Sequence, residues 1–397
     1  MIGVVAVLAV VYVGVAVWRI VDRKHYLWMP AFARWAWETP EPVQGPTHLL
    51  VFYTDHFEPS THLDRTERWG TEFPELARRH RDHEGRPHQH TWFYPAEQPI
   101  DGNMQVLQRL VSGGFGEVEL HYHHGNDSRA SMQRKLEDGL AWFQRFGFAR
   151  TVDGKTQWAF IHGNFALDNG DGRDSRCGVD EELSLLRQTG AYADFSFPAI
   201  WNSSQPRVVN RIYEAQDDPG PKSYDRPFPF QPGPSARLPI FMGPLTAYLV
   251  PDPLRTFYQV EDANVHPTVP LTPRRVDQWV RANIHVPGHP EWVFIKIWGH
   301  AGSSDEETAD NLPGGNFERA LDHLEQRYND GQRYILHYVT AREAYNVARA
   351  AASGMRGSPT QYYDFEVRPY LADPRVTRAL PAAEEAAGRG PTHAVTE

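Results

Sequence analysis

Residues 116–127 read Gly-Glu-Val-Glu-Leu-His-Tyr-His-His-Gly-Asn-Asp, an apolar alternation that ends in three histidines. Val118 and Leu120 alternate with Glu117 and Glu119, which is the two-residue period of an extended strand. His121 and His123 share one face if the strand continues, and His124 joins them once the backbone breaks at Gly125. Neutral imidazole is the commonest protein ligand for zinc and related divalent ions. Three imidazoles in four positions at the mouth of an apolar strand therefore point to metal binding; a histidine-rich surface turn is the bland alternative. A complete site needs a carboxylate from elsewhere. Residues 51–58, Val-Phe-Tyr-Thr-Asp-His-Phe-Glu, offer one: a second apolar strand that ends in Asp55, His56 and Glu58.

On both sides of this strand, apolar extended segments alternate with amphipathic ones. Residues 48–54, 90–95, 157–161, 192–197, 292–298 and 333–339 read as strands, and 362–367 as an added one. Residues 65–83, 104–111, 128–146 and 180–189 read as helices, the last closed by Gly190 as a C-terminal cap. Thr272 with Pro273 opens another helix, Phe317, Leu321, Leu324 and Tyr328 form a helical stripe, and Thr340-Ala-Arg-Glu343 is a capping box. This alternation predicts an α/β fold with a mostly parallel sheet, open or closed into a barrel. Polar clusters follow strand after strand: Asp55, His56 and Glu58; His121 to Asp127; His162, Asn164 and Asp168; His300. In a barrel of parallel strands those ends share one face, where active sites form. Scattered solvated loops are the competing reading.

The chain has 397 residues, 41% of them hydrophobic, enough for a large core. Its formal net charge of -10 argues against nucleic acid as a partner. Twelve Trp, 17 Tyr and 20 Phe suit either sugar stacking or core filling. The single cysteine, Cys177, excludes an intrachain disulfide and reads as a small buried residue. Residues 2–18 carry no charge and reach about 26 Å as a helix, so residues 1–21 are expected to be a transmembrane anchor; a buried core helix is the alternative. Arg19, Arg23 and Lys24 follow it, which places the body in the cytoplasm by the positive-inside rule, with an extracytoplasmic body as the alternative. Residues 22–46 read as a juxtamembrane linker in which Trp28, Trp35 and Trp37 meet the membrane interface. Residues 47–370 are expected to form the main α/β domain, with a proline-rich insertion around 201–270, and 371–397 an unstructured tail.

These motifs, in this order, resemble the polysaccharide deacetylase superfamily of carbohydrate esterases, and more closely uncharacterised bacterial members of the wider glycoside hydrolase/deacetylase group. The resemblance rests on residues 119–127 (Glu-Leu-His-Tyr-His-His-Gly-Asn-Asp), 160–167 (Phe-Ile-His-Gly-Asn-Phe-Ala-Leu), 177–183 (Cys-Gly-Val-Asp-Glu-Glu-Leu), 194–198 (Asp-Phe-Ser-Phe-Pro) and 339–343 (Val-Thr-Ala-Arg-Glu). It implies a distorted (β/α) barrel and a divalent metal, zinc above all, with manganese, cobalt or nickel as alternatives. Asp55 and His121 would be metal ligands, with His124 or His123 as the second histidine, because the family's position for it is Gly125 here. His300 would be the general acid. The family's catalytic-base Asp is replaced by Thr54, which leaves Asp127 or Glu58 as the expected base and His162 as a supporting residue. The expected activity is removal of acetyl groups from a glycan or lipid-linked saccharide at the membrane. A glycoside hydrolase using two carboxylates, or a non-catalytic glycan-binding relative, is the alternative.

Overall fold

The computed structural model describes residues 2–152, 154–233, 235–250 and 258–370, with the side chains of residues 2–9 and 152 left out. The strand β1 (Thr47–His56) is the branch point of the sheet, paired to three other strands. One side of β1 pairs with the strand Trp292–Gly299 over His48 to Asp55. Its other side is shared: Tyr334–Tyr338 pairs with its first half and β2 (His90–Pro95) with its second. From β2 the sheet continues in parallel through β3 (Gly116–Tyr122), Trp158–His162, Ala191–Asp194 and Leu238–Phe241. Ile212–Ala215 and Pro227–Phe228 then add antiparallel pairs. The predicted α/β character and parallel sheet are therefore present. Residues 201–270 are more than an insertion, because they supply three of these strands.

Strand alternation builds the two faces. Leu49, Val51 and Tyr53 of β1, with Val118 and Leu120 of β3, face a helical layer: α3 (Leu63–Arg79), α4 (Asp101–Ser112), α5 (Arg129–Gln144) and α6 (Glu182–Thr189). Leu50 and Phe52 face inward against Phe195, Phe241 and the helix Ala341–Ala352. Phe52 and Phe195 meet with ring centroids 6.2 Å apart. Their strands stand four spacings apart in the sheet, about 19 Å if it were flat. The sheet therefore curls strongly on itself. Among the described residues no pairing joins its two ends, and no barrel closure is seen there.

Local chemistry explains the element ends. Ser128 caps α5 in a reciprocal capping box with Ser131, and Thr340 does the same with Glu343. Gly190 closes α6 at φ +103°. Gly116 opens β3 at φ +152°, where an added Cβ would lie 1.9 Å from the His90 carbonyl oxygen. Gly116→Ala must therefore push β2 and β3 apart at their first rung. We expect a loss of stability of at least ~1–3 kcal/mol, read from denaturant unfolding; an unchanged midpoint would refute the close approach.

Two expectations fail. Residues 362–367 form no strand, and the short 3₁₀ turn Pro359–Tyr362 stands at their start. The juxtamembrane stretch is not a bare linker: a 3₁₀ turn at His25–Leu27 leads into α2 (Met29–Trp37). Trp28 is buried there against Ile200, Val209 and Leu245 rather than at a membrane interface, while Trp37 is 88% exposed. The apolar N-terminal run forms α1 (Ile2–Asp22). Among the described residues no helix is long and apolar enough to cross a membrane; the side chains of residues 2–9, part of the expected anchor, lie outside them. The expected unstructured tail, 371–397, also lies outside the described residues.

Candidate functional site

The C-terminal ends of the parallel strands gather the expected polar residues, and the structure divides them into two groups. The first opens to solvent. Thr54 and His56 fall on the inner face of β1, as Leu50 and Phe52 do, and Glu58 follows from the next loop. His121 falls on the inner face of β3, opposite in sense to Val118 and Leu120. The His56 ring lies 4.9 Å from that of His121 and 4.8 Å from that of His300. Nε2 of His121 is 3.0 Å from Oε1 of Glu58, and the same oxygen is 3.6 Å from Nε2 of His123. Nδ1 of His123 is held by Oε1 of Glu97 at 2.6 Å. One donor atom each from His56, Glu58 and His121 lies within 4.8 Å of the others. Nδ1 of His56 and Nδ1 of His121 are buried without a hydrogen-bond partner. Two imidazoles and a carboxylate beside an open mouth match the donor set of hydrolytic metal sites, which leave a position for water or substrate. These residues fit a divalent ion.

Aromatic rings wall this group. Phe165 stacks on His56 at 5.1 Å, Trp298 lies 5.7 Å from Phe165, and Trp201, 45% exposed, lies 6.2 Å from Trp298. The Trp298 indole N–H donates to the Asp262 carbonyl at 2.8 Å. Burial, reinforced by the charge of Glu261, pushes the Asp262 carboxyl up to about 7. A carboxyl raised in the folded state holds its proton more tightly there than in the unfolded chain. Its contribution to stability is thus present near pH 4 and lost as pH rises through about 7. Asp262→Asn should flatten that part of the stability profile in thermal melts taken between pH 4 and 8. An unaltered slope would remove Asp262 as its source.

The charges in the mouth are set by burial and proximity. Burial pushes Glu58 up, but the hydrogen bond from His121 and the charges of His121, His300 and His123 outweigh it and hold its carboxyl at about 2. Burial, then His300 and His121, press His56 well below the usual imidazole range, which favours the neutral ring that metal binding requires. Burial also lowers His300, with Glu58 opposing. In His123 burial lowers, yet the bond to Glu97 and the charges of Glu58 and Glu97 raise it on balance.

The second group is closed. His124, His162, Cys177 and Glu182 are all buried, and one donor atom from each lies within 4.8 Å of the others. Two groups among the described residues are thus able to hold a metal ion. The expected single site is divided between them: Glu58, His121, His123 and His300 line the mouth, whereas His124, His162 and Asp127 belong behind the sheet.

Asp55 joins neither metal group. It lies on the helix-facing side of β1, where Oδ1 accepts the Ala301 N–H at 2.8 Å and Oδ2 meets Nε2 of His90 at 3.1 Å. Burial raises its carboxyl well above the usual range and lowers His90, so the pair is neutral. Asp127 is no base for the mouth, because its oxygens bind Ser131, Lys135 and His124 at 2.7, 2.7 and 3.2 Å. Nor does it cap α5, a role Ser128 takes. Thr54 is buried and donates to the Ile297 carbonyl at 3.2 Å.

The sequence reading missed Glu97 and left His56 without a role. Glu97 stands two residues past the end of β2, the same position relative to its strand that exposed the other clusters. Set against known families, curated proteins and solved structures, the chain gives no match in any of the three comparisons.

Proposed function

We propose that the chain is a metal-dependent hydrolase that removes acetyl groups from a glycan or lipid-linked saccharide, on a distorted (β/α) barrel of the polysaccharide-deacetylase type. The observation that carries the reading is the meeting of His56, Glu58 and His121, with two orphaned ring nitrogens, beside His300 and an aromatic wall. The acetylated sugar itself comes from the resemblance of the motifs, to which the stacking surface of Phe165, Trp201 and Trp298 adds support.

His56, Glu58 and His121 would hold the ion, zinc by the donor set. When bound, it polarises a carbonyl and lowers the pKa of its water toward ~7. His123 takes the place of the missing base at Thr54. Its Nδ1 is fixed by Glu97, which leaves Nε2 on the side of Glu58 to accept a water proton. His300, whose ring lies 4.8 Å from that of His56, is placed to protonate the leaving amine or alcohol.

The proposal includes a membrane anchor. Val10, Val11, Val13, Val15, Val17 and Trp18 of α1 are exposed apolar residues that a bilayer would cover. Lys24 donates to Ser203 Oγ at 2.7 Å, and Trp28 packs on Ile200, so the segment after α1 grips the loop that carries Trp201. An anchored chain would thus hold its aromatic wall next to the membrane surface, which suits a lipid-linked substrate.

Acetate release from acetylated glycans by the full chain tests the reading. Activity removed by chelation and restored by Zn²⁺ is expected. Hydrolysis of the glycan chain that survives chelation and fails in Glu58→Gln and Glu97→Gln would instead favour the glycosidase, since these two carboxylates bracket His123. Metal binding without turnover of any acetylated sugar would point to the binding protein.

A further inference from the structure

We propose that His124, His162, Cys177 and Glu182 form a second, closed metal centre: a structural zinc site that fastens residues 163–181 to the sheet. This group is separate from the one at the mouth and does not depend on the proposed reaction. The segment it would hold has no strand or α-helix of its own, only the 3₁₀ turns Leu167–Asn169 and Asp174–Arg176. Yet it packs closely: a Cβ on Gly125 would lie 2.1 Å from the Ser175 carbonyl oxygen, and one on Gly163 would strike the His123 ring.

The donors have the arrangement of a ligand set. Two imidazoles, a thiolate and a carboxylate are a four-ligand shell that cancels the charge of Zn²⁺. The His124 Nε2 and Glu182 Oε1 atoms are 2.9 Å apart, and the Cys177 Sγ lies 3.6 Å from Oε2 of the same carboxylate. The supporting partners are also in place. Nδ1 of His124 meets Asp127 at 3.2 Å, and Lys135 fixes Asp127 at 2.7 Å, a carboxylate–histidine pair of the kind that orients metal ligands. The Asn169 N–H donates to Sγ at 3.3 Å and the Asp168 N–H to Glu182 Oε2 at 2.6 Å.

The independent sign is Nε2 of His162. It is fully buried, lies 3.9 Å from Glu182 Oε1, and has no hydrogen-bond partner. Leaving a buried polar nitrogen unpaired is unfavourable, and a metal bond removes that penalty. Binding there has one local requirement. Nδ1 of His162 accepts the Asn164 N–H at 3.2 Å and the Ala166 N–H at 3.5 Å, so its ring must carry the proton on Nδ1 and open both contacts. The rival arrangement is a metal-free cluster in which the two ring nitrogens of His124 pair only with Asp127 and Glu182.

Cobalt substitution of the full chain separates the two. The wild type should take up about two ions per chain, if the mouth site also fills, and show the near-ultraviolet thiolate-to-cobalt band of a Cys ligand. Cys177→Ala should lose that band and one equivalent of metal, and melt lower by several degrees. Chelation should lower the melting temperature of the wild type, which loses both ions, by several degrees more than that of Cys177→Ala, which has only the mouth ion to lose. His121→Ala should lose the other equivalent and keep the band, so failure at the mouth is distinguishable from failure here. A cobalt-loaded wild type with no thiolate band, or a folded Cys177→Ala with unchanged metal content, overturns the proposal; the first measurement needs no variant.

Discussion

His121→Ala is expected to lower turnover by roughly 10²–10⁴-fold, the range for losing one principal catalytic component. The reason is positional. His121 touches the proposed metal group, through Glu58 at 3.0 Å and the His56 ring at 4.9 Å, and also the proposed base, through the His123 ring at 4.6 Å. Its removal takes one of three ligands and also frees Glu58, whose low carboxyl depends first on the His121 hydrogen bond among the lowering contacts. Metal content should fall by one equivalent per chain, and the fold should survive, because Nδ1 of His121 makes no hydrogen bond that the core would miss. Steady-state kinetics with metal analysis on the same preparation checks it. Full activity in a folded His121→Ala would remove the mouth as the site of chemistry.

The largest effect on stability is expected at the opposite end of the sheet. Arg342 is buried, and its guanidinium binds Glu117 Oε1 at 2.8 Å, Asp364 at 2.7 Å and the carbonyls of Tyr363 and Val367 at 2.9 and 2.6 Å. Glu117 also accepts Thr340 Oγ1 at 2.7 Å. Arg342→Met fills similar space but strands a buried carboxylate, which costs about 3–5 kcal/mol. Adding Glu117→Gln removes the stranded charge, so the double variant should be less destabilised than the two single changes predict when added. Urea unfolding of the three variants measures this. Strict additivity would show that the pair is not coupled.

Periodicity made much of the fold legible and, followed further, would have sorted the site as well. The two-residue period of β1 puts Tyr53 and Asp55 on one face and Thr54, His56 and, past the strand, Glu58 on the other. Assigning Asp55 and His121 to one metal conflicts with that alternation, since β3 turns His121 inward. The family resemblance favoured Asp55; the pleat favours His56. Glu97 was equally within reach, because it follows a strand end as the other clusters do. Cys177 and Glu182 were not. They come from an irregular loop and the first turn of α6, where no period fixes direction, and their meeting with His124 depends on how residues 163–181 fold back. The curl of the sheet was also hidden, since strand spacing in sequence is the same for a flat sheet and a rolled one.

The docking of Trp28 bears on where the chain is best trimmed for handling in solution. A chain trimmed to begin near residue 40 would expose the seat left by Trp28 and Phe32 over Ile200, Val209 and Leu245, an apolar patch prone to self-association. It would also release Ser203 from Lys24 and leave the loop of Trp201 without its clasp. A truncation made just after α1, keeping Lys24 to Trp37, preserves both, so the better-behaved soluble form should be the longer one.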